Sequence, residues 1–312
     1  MNRETRLIDG VLHAIMPPAD TSGIRRQYLN LTYATDSISQ KLDLYLPDSE
    51  ASAYPLIVFF HGGAFTFGAK DDNQLVPILR SIDRGYAVAS VEYRKSPEAR
   101  FPAMVYDAKA AIRYLRAQST RLRLDSKHFC AWGPSSGGWL ASMIGVTEGN
   151  PAFEDLSMGH SDVDSSVQAV IDWCGPCGGF LNMDTAFLKS EAGVADHNDV
   201  NSPESRFLGG DITKLRELDR MACPCSYASS NTPPTLILHG GSDQIVPVEQ
   251  SQAFYAALSA AALEPKHEIH IASGQLHHGA EWYNEPWVME LCLDFLGKVF
   301  SNCLCENSEK KS

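Results

Sequence analysis

The sequence lacks any apolar run approaching the roughly 20 residues that a membrane-spanning helix needs. Its first residues are polar and lead into no apolar segment with a cleavage site, so we expect no signal peptide. Basic residues are scarce: 26 Lys and Arg against 38 Asp and Glu leave a formal net charge of −12. That charge argues against nucleic-acid binding and gives no reason to expect an anionic membrane partner. These absences predict a cytoplasmic protein with neither a nucleic-acid nor a membrane partner.

Metal-binding patterns are also missing. Cys223-Pro224-Cys225 and Cys303-Leu304-Cys305 have no histidine partner at a spacing typical of zinc sites. The eight cysteines are expected to be mostly reduced thiols, since no export signal accompanies them. We therefore expect neither a metal nor a cofactor.

The 312 residues, 44% of them hydrophobic and without repeats, fit one globular domain spanning 1–312. Segments 27–33 and 41–46 alternate apolar and polar residues, as a half-exposed antiparallel strand pair does. Amphipathic or alanine-rich helices are predicted at 103–117, 249–263 and 284–300, and a disordered tail at about 304–312. Continuous apolar runs typical of fully buried strands occupy 56–60, 86–91, 129–132, 167–171, 235–238 and 267–271.

Alternation of buried strands with helices predicts an α/β fold with a mostly parallel central sheet of about eight strands flanked by helices. One interval breaks the rhythm, because residues 175–232 are largely irregular and rich in Gly, Pro, Ser and Asp. Long irregular segments in a domain are often lids, so we expect a cap insertion there, with a second cap element at about 1–25.

The sequence Gly133-Pro134-Ser135-Ser136-Gly137 lies between a buried strand and an apolar helix. A strand, Gly-x-Ser-x-Gly and a helix together are typical of a nucleophile elbow, in which a sharp turn exposes the serine above the sheet. Ser135 is the candidate nucleophile, because it alone has glycines two residues before and after it.

Further candidate residues follow other buried strands, at the sheet edge where α/β proteins bind ligands. His61-Gly62-Gly63 follows 56–60, and its backbone amides, with that of Ser136, could bind the oxyanion of a tetrahedral intermediate. Asp243 follows 235–238, and His277-His278 follows the last strand. Either histidine could take a proton from Ser135 while Asp243 orients the ring, and the order Ser, Asp, His fits an α/β-hydrolase.

The chain resembles the α/β-hydrolase superfamily, and within it the hormone-sensitive-lipase-like bacterial carboxylesterases, including the branch of acetyl and feruloyl esterases. The resemblance covers roughly residues 25–300. It rests on His61-Gly62-Gly63, Tyr93-Arg94-Lys95-Ser96-Pro97-Glu98, Trp132 to Gly138, His239-Gly240 with Asp243 and Val246-Pro247, and His278-Gly279.

This resemblance implies a serine carboxylesterase that hydrolyses short-chain acyl esters through an acyl-enzyme, with acetyl or feruloyl groups on hemicellulose-derived sugars as candidate substrates. The family places its catalytic histidine directly before a glycine, which selects His278 over His277. It also implies that Gly62, Gly63 and Ser136 supply the oxyanion donors. The sequence departs from the family at Ala64, where many relatives have a third glycine, and at Pro134.

Two other functions stay open. A serine exopeptidase would use the same fold and residues. Trp173-Cys174-Gly175-Pro176-Cys177 has the sequence of a thioredoxin redox motif, although Gly178-Gly179 is a poor helix start.

Aromatic residues near these motifs are candidates for a substrate pocket. Phe65, Trp139 and Trp173 lie beside the oxyanion loop, the nucleophile and the redox-like motif. They could equally be part of the hydrophobic core.

Overall fold

A computed structural model describes residues 5–8, 11–14, 16–96, 98–190, 192–277 and 282–309, with side chains for 16–96, 98–190, 192–277 and 282–301. Its strands are β1 (Thr5–Ile8), β2 (Val11–Ala14), β3 (Arg26–Thr32), β4 (Lys41–Leu46), β5 (Tyr54–Phe60), β6 (Ala87–Val91), β7 (Leu124–Pro134), β8 (Ala169–Trp173), β9 (Thr235–Gly240) and β10 (Glu268–Ala272).

The central sheet contains eight strands in the order β10-β9-β8-β7-β5-β6-β4-β3. The strands from β10 to β6 pair in parallel, whereas β4 pairs antiparallel with both β6 and β3. The separate strands β1 and β2 pair only with each other, in antiparallel register. The mostly parallel eight-stranded sheet confirms the predicted fold class.

Burial explains which strands had a recognisable pattern. The central strands β5, β6 and β8 are buried along nearly their whole length, as continuous apolar runs predict. β4 was expected to be half-exposed, but it is buried after its first residue because Leu42, Leu44 and Leu46 enter one hydrophobic core and Tyr45 enters another. β10 was expected at 267–271 as a fully buried strand, but it lies at an edge of the sheet and is only partly buried. The edge strand β3 is instead mostly accessible to solvent.

Helices cover both faces of the sheet. Side chains of α2, α4 and α8 join one hydrophobic core, while those of α1 and α9 join a second core on the opposite face. Alternate residues of β7 enter the two cores, Phe129 and Ala131 on one side and Cys130 and Trp132 on the other. The α-helices are α1 (Val76–Leu79), α2 (Ala103–Ala117), α3 (Ser119–Leu122), α4 (Ser136–Val146), α5 (Leu181–Ser190), α6 (Pro203–Leu208), α7 (Arg216–Met221), α8 (Glu249–Ala261) and α9 (Pro286–Glu309).

The interval 175–232 contains the short helices α5, α6 and α7 and packs against the carboxyl-end loops of the sheet. The Phe207 ring of α6 stacks on Phe65 with ring centroids 4.2 Å apart. Trp139 of α4 donates its indole N–H to the carbonyl of Ala222, at 2.7 Å. These contacts tie the insertion to the segments on either side of the candidate nucleophile.

The C-terminal helix α9 is longer than expected. It continues to Glu309, into the stretch predicted as a disordered tail, because no proline or glycine follows Gly297 to end it. Within the described residues, no helix combines the length and apolarity that crossing a membrane requires.

Candidate active site

Ser135 occupies the sharp turn between β7 and α4. Its backbone has φ +53° and ψ −126°, a conformation that few residues other than glycine adopt. The turn is held by a hydrogen bond from the Ser135 amide to the carbonyl of Trp173, at 2.7 Å. A Cβ atom on Gly137 would lie 2.1 Å from the carbonyl oxygen of Phe60, so the helix can approach β5 this closely only with glycine there. This geometry is that of a nucleophile elbow.

Two side chains join Ser135 in a continuous hydrogen-bonded chain. Nε2 of His277 lies 3.1 Å from Oγ of Ser135, and Nδ1 of the same ring lies 2.6 Å from Oδ2 of Asp243. All three residues are buried. Ser135 and Asp243 thus stand where the sequence placed them, each after its own strand.

The histidine in this chain is not the predicted one. His277 fills the position that the sequence analysis gave to His278, and His278 itself lies outside the described residues. The spacing after β10 left both histidines open, and the family pattern of a histidine before a glycine selected the second. His277, which the sequence analysis considered but did not select, is therefore the histidine that contacts Ser135.

The Asp243 carboxylate is held by donors on both oxygens. The amides of Ile245 and Val246 donate to Oδ1 at 2.8 and 2.9 Å, while the His277 ring reaches Oδ2. Burial favours the neutral acid, but the charge of His277 and the imidazole contacts of His239 and His277 outweigh burial. They hold the pKa of Asp243 well below its usual range. The aspartate is therefore ionised wherever the protein is folded near neutral pH.

His277 is shifted in the opposite direction. Burial disfavours its charged form, but the neighbouring Cys174 sulfur and the Asp243 carboxylate outweigh burial and raise the pKa of His277 to about 10. A raised pKa means that the charged ring stabilises the fold fully below the ordinary value of about 6.5, and that this contribution is lost as pH rises toward 10. A base, by contrast, needs the neutral ring.

The loop after β5 differs from the prediction at one donor. The amide of Gly62 donates to Oε1 of Gln74 at 2.9 Å, so this N–H is engaged within the protein. Among the described residues, the amides of Gly63, Ala64 and Ser136 have no such acceptor. Gly63 has φ +136°, and a Cβ there would lie 2.1 Å from the carbonyl oxygen of Phe67. Ala64, at φ +49°, adopts the left-handed turn without being a glycine.

Phe65, Trp139 and Trp173, the candidate pocket residues, are core side chains. Each is at most 2% exposed. The rings of Phe65 and Trp139 meet edge to face with centroids 5.3 Å apart, and Trp173 stacks on Tyr283 at 4.3 Å. Aromatic packing of this kind is typical of a filled interior. All three belong to the hydrophobic cores, Phe65 and Trp139 on one face of the sheet and Trp173 on the other.

The redox-like motif has the wrong surroundings for thiol exchange. Cys174 and Cys177 are both buried and unbonded to each other. The Cys177 thiol donates to Oδ2 of Asp172 at 3.3 Å, and burial beside this carboxylate raises the pKa of Cys177 far above its usual value. The motif leads into a loop, since α5 begins only at Leu181. These features oppose a thioredoxin-like role.

Cys174 lies beside the hydrogen-bonded pair of His277 and Asp243. Among the described residues, one group of metal-ligating side chains is close enough to share an ion: Cys174, Asp243 and His277, whose ligand atoms all lie within 4.8 Å of one another. The ring and carboxylate of this group are already hydrogen bonded to each other. The thiol is thus best understood as part of the electrostatic environment of His277.

Replacing this thiol should move the pH dependence of activity. In Cys174→Ala, we expect the acid limb of kcat/KM to shift to lower pH, because a group that favours the charged His277 ring is removed. The measurement is kcat/KM for a neutral ester between pH 5 and 10. Cys130→Ala, which deletes an equally buried thiol on β7, is the matched control. An acid limb shared by wild type and Cys174→Ala would contradict the assignment.

Comparisons with known proteins identify the family of the chain. The BD-FAE family matches residues 42–258, more than half of the chain. Esterase LipC of Mycobacterium tuberculosis is 28% identical over 258 residues, which span 78% of this chain and 59% of LipC. The chain therefore covers little more than half the length of this curated relative.

Solved structures of carbohydrate esterases have the same fold. A truncated form of a carbohydrate esterase from gut microbiota is 29% identical, with a TM-score of 0.76 over 91% of this chain and 99% of that one. A bifunctional GH43-CE protein of Bacteroides eggerthii has the same identity and TM-score of 29% and 0.76, over 88% of this chain and 35% of its own. The eight-stranded sheet, the serine elbow and the family match lead to one conclusion: the chain belongs to the BD-FAE family of α/β-hydrolases.

Proposed function

We propose that the protein is a serine carboxylesterase. The observation that carries this proposal is the unbroken chain from Ser135 through His277 to Asp243, with hydrogen-bond lengths of 3.1 and 2.6 Å. A serine bonded to an imidazole, itself bonded to a buried carboxylate, is the arrangement that activates a hydroxyl for attack on a carbonyl carbon. The esterase LipC and the carbohydrate esterases support an ester over a peptide substrate.

In the proposed reaction, neutral His277 takes the proton of Ser135 through Nε2 as Oγ attacks the ester carbonyl. Asp243 fixes the Nδ1–H tautomer and stabilises the imidazolium that forms. The imidazolium returns the proton to the leaving alcohol, which leaves an acyl group on Ser135. Water, activated by the same ring, then releases the acid and restores the serine.

The tetrahedral oxyanion would be bound by backbone amides. Those of Gly63 and Ser136, with that of Ala64 next along the loop, are the proposed donors. Gly62 is left out because its amide already donates to Gln74. Ser136 starts α4, so the positive end of the helix dipole would also favour the negative oxygen.

We propose short acyl groups, acetyl above feruloyl, as substrates. Phe65 on the oxyanion loop, Trp139 in the first turn of α4 and Phe207 of α6 pack against one another, and in this proposal their filled cluster limits the length of the acyl group. The resemblance to carbohydrate esterases supports a sugar as the alcohol. The insertion at 175–232 would be the cap that selects between alcohols.

A substrate panel tests this proposal. We expect p-nitrophenyl acetate to be cleaved faster than the butyrate and octanoate, and acetylated xylo-oligosaccharides faster than feruloylated ones. Initial rates at fixed enzyme concentration give the ranking, and an aminoacyl p-nitroanilide serves as the peptidase control. Faster cleavage of the anilide than of any ester would favour the exopeptidase alternative, and a preference for octanoate would contradict a short acyl site.

A further inference from the structure

The catalytic carboxylate has a second imidazole on it. Nε2 of His239, at the end of β9, lies 3.0 Å from Oδ2 of Asp243, the same oxygen that His277 contacts at 2.6 Å. The carboxylate is therefore bracketed by two rings on Oδ2 and by two backbone amides on Oδ1. The sequence analysis gave His239 no role.

The surroundings of His239 decide its tautomer. Nε2 also lies 2.9 Å from the carbonyl oxygen of Val246. A carbonyl and a carboxylate can only accept, so Nε2 must carry the hydrogen. Nδ1 of the neutral ring is then the acceptor, and the hydroxyl of Ser251 lies 2.6 Å from it. Ser251, on α8, thus donates to His239, and the single Nε2–H of His239 is shared between the carbonyl of Val246 and the Asp243 carboxylate.

These bonds are shielded from bulk solvent, because His239 and Ser251 are fully buried and Asp243 is 3% exposed. Hydrogen bonds in such surroundings are strong, and leaving one partner unpaired is costly. A carboxylate with donors on both oxygens has a single orientation available. That orientation aims Oδ2 at Nδ1 of His277.

We propose that His239 and Ser251 are positioning residues, which fix the Asp243 carboxylate so that His277 is held in the tautomer and orientation needed for acyl transfer. This proposal rests on the proposed esterase function. It extends the hydrogen-bonded chain to Ser251–His239–Asp243–His277–Ser135, joining α8 to the nucleophile elbow. Neither His239 nor Ser251 contacts the reacting atoms in this scheme.

A test of this proposal must leave the other titratable groups around Asp243 and His239 unaltered. Among the described residues, Cys174, Asp172 and Tyr283 act electrostatically on Asp243, His239 or His277. Asp172 lies on β8, Cys174 in the loop after it and Tyr283 in the segment before α9. None of them is altered by a substitution at His239 or Ser251.

The experiment compares His239→Leu, His239→Gln and Ser251→Ala in the full chain. Glutamine can present an N–H where Nε2 of the histidine stood, whereas leucine fills space without a donor. We expect His239→Leu to lose about 10- to 100-fold in kcat with KM little changed, as loss of a hydrogen bond to a charged group predicts. His239→Gln should recover most of that loss, and Ser251→Ala should lose about 3- to 10-fold.

The pH profile separates positioning from a structural defect. Without the His239 donor, Asp243 concentrates more charge on His277, so the acid limb of kcat/KM should move up by about 0.5 to 1 pH unit in His239→Leu and return in His239→Gln. A merely structural role would lower the fraction of active protein and leave the limb in place. Titration with a phosphonate ester counts the active sites.

The matched control is His128→Gln. His128→Gln alters another buried histidine bonded to an aspartate, Asp125 at 2.7 Å, at the opposite end of β7. Its kcat and pH profile should match the wild type. Equal losses in His239→Leu and His239→Gln, or a limb that stays or moves down, would overturn the proposal. If His239→Leu does not fold, the kcat values of His239→Gln and Ser251→Ala still test the proposal. Wild-type kcat in Ser251→Ala would then contradict it. Full activity in Ser135→Ala would instead refute the esterase mechanism itself.

Discussion

Ser135→Ala should abolish ester hydrolysis while the fold persists. The substitution removes the oxygen that attacks the carbonyl and the partner of His277 at 3.1 Å. Removing a triad serine typically lowers kcat by about 10⁴- to 10⁶-fold, with the residual rate coming from the oxyanion donors and substrate binding. Alanine tolerates the φ of +53° about as well as serine does, so we expect little change in stability.

The measurement is kcat/KM for p-nitrophenyl acetate, together with the melting temperature of the variant. Wild-type protein mixed with excess ester should give a burst of p-nitrophenol if deacylation is slow, and a mass spectrum should then place the acyl group on the peptide containing Ser135. Ser81→Ala, at a buried serine whose hydroxyl has no partner among the described residues, is the control and should stay fully active. Normal turnover in Ser135→Ala would remove the basis for the proposed mechanism.

His277→Ala should be nearly as damaging as Ser135→Ala, and far more damaging than His278→Ala. The His277 ring contacts both Ser135 and Asp243, so deleting it removes the proposed base and takes from the buried Asp243 charge the closer of its two imidazole contacts. We expect a loss of about 10⁴-fold or more in kcat, since triad members act as a unit. His278→Ala preserves this entire chain of contacts.

Parallel assays of the two single variants, with circular dichroism to verify folding, measure the ranking. His277→Gln adds a variant that keeps a hydrogen-bonding side chain but cannot accept and return the proton, so its activity should stay close to that of His277→Ala. If His278→Ala were the more damaging change, the family pattern would have selected the right base and the contacts of His277 would be incidental to catalysis.

The positions of strands could be predicted from sequence wherever burial on both faces imposes an apolar run. The runs at β5, β6, β8 and β9 are apolar because helices cover both faces, and each was placed to within a few residues. Two strands were misjudged: the alternation of β4 resembles a half-exposed strand although both of its faces are covered, and β10, predicted as fully buried, is only partly buried at the edge of the sheet. Burial of that kind depends on strand order, which no local pattern encodes.

The candidate site likewise contains features that could be predicted from sequence and features that could not. The elbow at Ser135 and the acid at Asp243 could be found from sequence, because sharp turns need glycines and the order of strands places each loop at one sheet edge. The engaged amide of Gly62 and the contact of His239 with Asp243 could not be found, since no local pattern shows where the Gln74 side chain points or how the loop after β9 folds the Asp243 carboxylate back toward His239.

By itself, the sequence determined that this is an α/β protein, and it predicted a serine nucleophile, an aspartate to orient a base, and a base in the histidine pair after the last strand. Only the tertiary structure decided which histidine of that pair points at Ser135. Adjacent residues in a loop project in different directions, and a loop has no periodicity from which to infer which one faces inward. The choice of base therefore depends on how the loop after β10 lies against β9 and the elbow.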